Sequence, residues 1–313
     1  MTETTLSDLQ AGIQNRSAFR NLSDYFTICY NFLNFVQSSK LERISSTSRN
    51  YIFYQYSRAN GSRVVTRPLN VDLFINSASE FQDTLGGFNE FLTNIREYHN
   101  QNNVNFRVIS NGKINKVVYT IQQSIGCISD SFDNPNQSRK IVGQLFEDLV
   151  KLIIREVGLS CEPRTISVQI PGYDEYKMSY ELDLVFSRKS SGLATNVIDD
   201  NEVIGSVKTT SKDRIDRIFL DKYLLTKLMK RDIRVVAIFL HDVQRYRKNG
   251  NIFGINSTFK SNHFLGYTFA LNKLDGVYYV DPTPEMVTNA RLREYIGDFQ
   301  KFLVEDLWRL LRG

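Results

Sequence analysis

Residues 180–186 read YELDLVF and residues 202–224 read EVIGSVKTTSKDRIDRIFLDKYL, and together they decide how the second half of the chain folds. Each starts as an apolar, β-branched run of the kind that sits half buried in a sheet. Each also carries a charge inside the run. Asp183 stands between Leu182 and Leu184, and Lys208 closes the run Val203–Val207 before any turn residue appears. A charge taken out of water needs a partner. Asp183 and Lys208 therefore either neutralise one another from neighbouring strands or converge on a shared metal ion.

Working outward, SRKIVGQLFEDLVKLIIREVG at 138–158 has a helical period, with Ser138 as cap, Ile141, Leu145, Leu149, Leu152 and Ile153 as the core stripe, and Gly158 as the stop. RTISVQI, the turn PGYDEY, MSYELDLVF, the polar stretch SRKSSGLATNVIDDN and EVIGSVK follow. That order, a helix and then three strands, predicts an antiparallel meander. A helix over about 211–230, a buried strand RVVAIFL at 234–240 and a terminal helix LREYIGDFQKFLVEDLWRLL complete this half.

In the first half, residues 20–37 have the pattern of an amphipathic helix and YIFYQYS at 51–57 that of a strand. FRVISNGKINKVVYTI places Asn111-Gly112 between two β-branched runs, which predicts a hairpin because both residues tolerate the positive φ of a type I′ turn. The loop-like composition of DSFDNPNQSRK at 130–140 places a domain boundary there. The expected organisation is an accessory α/β region over 1–130 and a second domain over 131–313.

The bulk numbers narrow the chemistry. The 313 residues are 42% hydrophobic and 23% charged, ordinary for a folded globular protein, and no apolar run is long enough for a membrane span. The N-terminus MTETTLSDLQ lacks a signal-peptide pattern, so a cytoplasmic address with no membrane association is expected. Three cysteines (Cys29, Cys127, Cys161), odd in number and far apart, offer neither a disulfide framework nor a zinc site. Three histidines without paired spacing exclude the usual zinc-hydrolase motifs, so any metal is oxygen-ligated. A net charge of +5 permits nucleic-acid binding without requiring it. No GxxxxGK[ST] loop occurs, so no nucleotide cofactor is implied.

A helix carrying Glu147, a strand carrying Asp183 and a next strand carrying Ser206-Val207-Lys208 resemble the core of the PD-(D/E)XK nuclease superfamily. A Mg²⁺ ion takes one or two carboxylates plus water and phosphate oxygens, and a nearby lysine can orient the attacking water. VKTTSKDRIDRIFLD is further similar to the K-x-x-x-(D/E)-R signature of restriction endonucleases that cut CCGG and CC-N-GG targets, above all the branch that contains EcoRII and PspGI. In that branch the strand position before x-K is not acidic, and a Glu thirteen residues after the Lys replaces it from the following helix. Here those positions are Ser206 and Asp221. Independently, Asp221 lies three after Ile218 and four before Leu225, on the apolar rather than the solvent side of a helix; as a solvated edge residue it would pair instead with Lys222 or Arg217.

The resemblance covers about residues 138–225 and implies an α/β (α+β) chain: a restriction-endonuclease-like core with a central mixed β-sheet flanked by helices. It implies a type II restriction endonuclease, a phosphodiesterase acting on double-stranded DNA at a short G·C-containing palindrome. Asp183, Asp221, Glu147 and the backbone carbonyl of Val207 would hold Mg²⁺, and Lys208 would position the water. Glu147 has a plain reading too, as the i,i+4 partner of Lys151. Lys212, Asp213 and Arg214 correspond to the family's major-groove segment. Their chemistry suits guanine O6/N7 and cytosine N4, although they also read as an ordinary charged helix start, and Ile215 replaces the family's tryptophan. A palindromic target implies a homodimer, and restriction implies a companion DNA methyltransferase. In the accessory region the aromatics of 51–57 with Arg58 and Arg63 read either as a base-stacking surface or as core. The same core also serves structure-specific repair or junction nucleases and catalytically inactive DNA-binding proteins.

Overall fold

The computed structural model describes residues 4–39, 41–48, 50–57, 61–101, 113–188, 197–212, 214–250 and 252–311. Contacts divide the chain into two units. One comprises Met1–Phe91, Asn111–Leu149 and Val243–Thr258, the other Leu92–Ser110, Val150–Asp242 and Phe259–Gly313.

In the first unit α1 (Leu6–Gln14) and α2 (Leu22–Ser38) each open on a capping box, Thr5 with Asp8 and Asn21 with Asp24. Strands β1 (Glu42–Ser45), β2 (Tyr51–Ser57), β3 (Arg63–Val65) and β4 (Leu69–Asn70) form an antiparallel sheet centred on β2. Phe53, Tyr54 and Tyr56 of β2 are buried, so these rings are core and not a base-stacking surface; Arg58 lies outside the described residues. After α3 (Ala78–Gln101) comes α4 (Lys113–Asp130), where a hairpin arm was expected. The Asn111-Gly112 turn lies outside the described residues, but KVVYTI is helical. The helical period is present in the sequence, with Ile114, Val117, Val118, Ile121, Ile125 and Ile128 recurring at three- and four-residue spacing, and the Asn-Gly pair with its β-branched neighbours obscures it; in the folded chain every residue of α4 from Ile114 to Ser129 except Lys116 is buried. Its polar members bond inside, Gln122 Nε2 donating to Val142 O (2.8 Å) and Gln123 Nε2 to Pro68 O (3.1 Å).

Helix α5 (Pro135–Glu156) starts three residues before the expected Ser138 cap. Pro135 suits a first helical turn, and the Asn134 side chain accepts from the N–H groups of Asn136 (2.9 Å) and Gln137 (3.3 Å). Gly158 (φ +92°) turns the chain out of the helix in a conformation open to glycine.

The second unit holds the meander read from the sequence. β5 (Ser160–Ile170), β6 (Tyr173–Ser187) and β7 (Val203–Thr210) are antiparallel neighbours. Helix α6 (Ile215–Met229) then leads to β8 (Val235–His241), parallel to β7. After β8 the chain supplies the hairpin β9 (Val243–Arg247) and β10 (Phe253–Ser257) to the first unit, where Phe253 joins Ile44 and Phe53 in a small core. It continues through α7 (Ser261–Ala270), β11 (Gly276–Asp281), α8 (Pro284–Thr288) and β12 (Ile296–Asp298). Among the described residues the sheet order is β12-β11-β8-β7-β6-β5, parallel across the first four and antiparallel across the rest. β8, covered on both faces, is buried at every position. Its core joins Ile218, Phe219 and Leu225 of α6 to Ala237, Phe239, Phe264 and Tyr279.

The terminal helix is shorter than expected. Leu292–Glu294 is a 3₁₀ turn, β12 pairs with β11, and Asp298 caps helical turns over Phe299–Lys301, Phe302–Asp306 and Leu307–Leu310. Among the described residues no helix is long and apolar enough to cross a membrane.

Candidate active site

β6 and β7 pair only over Leu184–Phe186 and Val203–Gly205. Continuing that register would set Asp183 opposite Ser206, but there the ladder ends. On its other edge β6 slips against β5. Glu162 pairs with Val185 and Arg164 with Leu182, so the two residues Asp183 and Leu184 face the single residue Pro163. Proline has no N–H to give a ladder, and a bulge of this kind re-aims a side chain. The sequence signal for this placement was Pro163, just before the expected start of the strand. Behind it, Arg164 grips Glu202 with two hydrogen bonds (2.6 and 2.7 Å) and so fixes the entry to β7.

Released from the ladder, Asp183 points at β7. Its Oδ2 accepts from the Val207 N–H (2.9 Å), from Ser206 Oγ (3.2 Å) and, in a short ion pair, from Lys208 Nζ. Both charged side chains stay partly open to water, Asp183 at 19% and Lys208 at 31% exposure. The question raised by the two charged strands thus has a partial answer: the pair exists, and it lies at an accessible cleft and not in the sheet interior.

That cleft, about 530 Å³, is lined by Asp183, Ser206, Lys208, Arg214, Arg217 and Asp221 together with residues 178–182 of β6. Asp221 enters from α6. Burial raises its carboxyl pKa; Arg217, 3.8 Å away, opposes the rise, and the neighbouring charge of Asp183 adds to it. A carboxylate held in a cleft beside a second carboxylate favours a cation between them. Tyr180, which sequence reasoning passed over, lines the same cleft, and its hydroxyl pKa is raised by burial and by the charge of Asp221. Lys222, weighed as a partner of Asp221, instead pairs with Asp275 at 2.6 Å. Glu147 lies half buried on the part of α5 that belongs to the first unit. Asp213 lies outside the described residues; Lys212 and Arg214 are exposed just before α6, which begins at Ile215.

Among the described residues no three His, Cys, Asp or Glu side chains form a group that could hold a metal ion by themselves. Asp183 and Asp221 offer carboxylate oxygens to the cleft, and Mg²⁺ keeps several waters and asks for no more. The residues fit that ion. All three cysteines are buried and unbridged, with burial pushing the thiols of Cys29 and Cys161 up to about 12, so thiolate chemistry has no place here.

No family model and no curated protein matches the sequence. Among solved structures, the chain is similar to one described as the type IIP restriction endonuclease Kpn2I, with a TM-score of 0.69, 19% identity and 97% of each chain covered. The fold is restriction-endonuclease-like. A second structure, described as the restriction endonuclease PspGI in complex with substrate DNA, superposes more weakly, with a TM-score of 0.39, 11% identity, and coverage of 70% of this chain and 92% of that one.

Proposed function

We propose that this protein is a Mg²⁺-dependent type II restriction endonuclease that cleaves double-stranded DNA at a short G·C-containing palindrome with a CCGG or CC-N-GG core. The observation that carries the reading is the convergence of Asp183, Lys208 and Asp221 on one cleft at the point where β6 and β7 part. Asp183 and Asp221 would hold the ion, assisted by the Val207 carbonyl. In an extended strand a residue's N–H and C=O point to the same side, and the Val207 N–H already faces Asp183. Bound Mg²⁺ would neutralise the scissile phosphate and make a coordinated water more acidic. Lys208 Nζ orients the attacking water, and Ser206 contributes a hydrogen bond beside it. Arg217 supplies positive charge for the DNA backbone. Lys212, Asp213 and Arg214 read base edges. Two copies related by a two-fold axis read the palindrome, in a cytoplasm where a companion methyltransferase protects the host DNA.

Incubating purified protein with phage DNA and Mg²⁺ tests this. Discrete fragments are expected. Cutting confined to branched or damaged substrates would assign a repair or junction nuclease, and a gel shift without cutting would assign an inactive DNA-binding protein.

A further inference from the structure

Helix α6 carries a lysine in the middle of its apolar face. Ile218 and Phe219 lie one turn before Lys222 and Leu225 one turn after, and all three are buried, which by spacing puts them on the same side of the helix. Lys222 is buried with them, only 3% exposed. Its Nζ donates to Asp275 Oδ2 at 2.6 Å. The same oxygen accepts from the Val235 N–H at 2.7 Å, and the Asp275 N–H donates to Val235 O at 2.9 Å. Val235 opens β8 and Asp275 immediately precedes β11, its parallel neighbour. The lysine is therefore tied to the starts of two central strands at a single point.

A buried ion pair adds little to stability, because the cost of desolvating both ions consumes most of their attraction, and apolar residues of the same shape often serve as well. What the pair adds is a fixed angular setting. Apolar contacts tolerate small rotations and slips, and a slip of one residue turns a helix by about 100°. A charge held by a carboxylate that is itself bonded to a strand tolerates neither. Asp221 is the residue before Lys222, and it must face Asp183 across the cleft.

We propose that the Lys222–Asp275 pair positions the metal-binding carboxylate by fixing the rotation of α6 on the sheet, so that Asp221 and Asp183 share one cation. The inference rests on the reading of Asp221 as a metal ligand. Lys222 is a positioning residue: its ammonium is held by Asp275, and it acts through Asp221.

Titration of the protein with Mn²⁺, followed by electron paramagnetic resonance, reads the site without requiring cleavage, and the Mg²⁺ dependence of phage-DNA cleavage reads it in action. Lys222→Met should weaken Mn²⁺ binding by about tenfold, the scale on which outer-shell partners of metal ligands act. The Mg²⁺ concentration for half-maximal cleavage should rise in parallel, while the rate at saturating Mg²⁺ changes far less. Lys222→Arg, which keeps the charge, should recover most of the affinity. Thermal melting checks that each variant folds. If Lys222→Met does not fold, Asp275→Asn takes its place, because it removes the charge and leaves an oxygen for the Val235 N–H. A folded Lys222→Met or Asp275→Asn protein with wild-type Mn²⁺ affinity would overturn the positioning role. A wild type that holds no Mn²⁺, or an Asp221→Ala protein that holds it as tightly as wild type, would overturn the metal-site reading itself.

Discussion

At the scale of single residues, the two carboxylates of the cleft sit in different surroundings. Asp183 is held by a backbone N–H, a hydroxyl and an ammonium, whereas Asp221 faces the Arg217 guanidinium at 3.8 Å and has a raised pKa. In the proposed mechanism Lys208 acts on water and not on bases, so Lys208→Ala should abolish cleavage and keep site-specific binding; normal turnover by that variant, measured on cognate DNA, would remove Lys208 from the active site. The raised pKa of Asp221 has a thermodynamic consequence. A carboxyl that binds its proton more tightly in the folded state contributes stability that is fully present below the unfolded pKa, about 3.9, and lost as pH rises through the folded value. Ionised Asp221 is then a liability for the fold at neutral pH, as function-bearing groups often are. Asp221→Asn should raise the melting temperature at pH 7 in metal-free buffer, with the gain shrinking as pH falls toward 4, while cleavage is lost. A lower melting temperature at pH 7 would mean that the ion pair with Arg217 outweighs the burial.

At the scale of elements, the meander and the helix after it were legible because strands β5 to β7 and helix α6 each carry a clean period bounded by turn residues. What the periods do not contain is the parting of β6 from β7, since it depends on pairing register and on the bulge at Pro163, which no single segment encodes. The charges of Asp183 and Lys208 marked the place without giving its cause. α4 shows a different failure: Ile114, Val117, Val118, Ile121, Ile125 and Ile128 repeat with a helical period, but the Asn-Gly pair before them and the β-branched residues among them point locally to a hairpin, and tertiary packing decides for the helix. That helix carries a testable constraint. A Cβ on Gly126 would fall 2.3 Å from the guanidinium of Arg67, which is paired with Asp130 at 2.9 Å. Alanine normally gains up to about 1 kcal/mol over glycine inside a helix, but here it must break a part-buried ion pair. Gly126→Ala should therefore destabilise by roughly 2–4 kcal/mol in chemical denaturation; a more stable variant would mean that Arg67 swings aside without cost. Just before α6, Arg214 is exposed and lines the cleft. If it reads a guanine, Arg214→Ala should cost about 1–3 kcal/mol for the cognate site and much less for a scrambled duplex. An unchanged ratio in competition binding would make it a backbone contact only.

At the scale of the whole molecule, the sequence read as consecutive regions does not foretell that residues 243–258 return to the first unit after β8, because a hairpin carries no mark of the sheet or core it will join. Symmetry, however, can be tested without knowing how the units are arranged. A palindromic duplex presents the same groups twice about a two-fold axis, so one cleft containing one Lys208 should cut one strand, and double-strand cleavage should need two protomers. Mixing wild type with a ninefold excess of Lys208→Ala, under conditions that allow subunits to exchange, puts roughly nine in ten wild-type protomers into mixed dimers. Each mixed dimer binds the site normally but carries a single working lysine. On a supercoiled plasmid with one site, the mixture should accumulate nicked circles, whereas wild type at the same active concentration should give linear DNA. Linear product in the mixture at the wild-type rate would show that one protomer cuts both strands. Loss of all cleavage would show that each cleft needs its partner's lysine. Either result would overturn the assignment of one strand to one protomer.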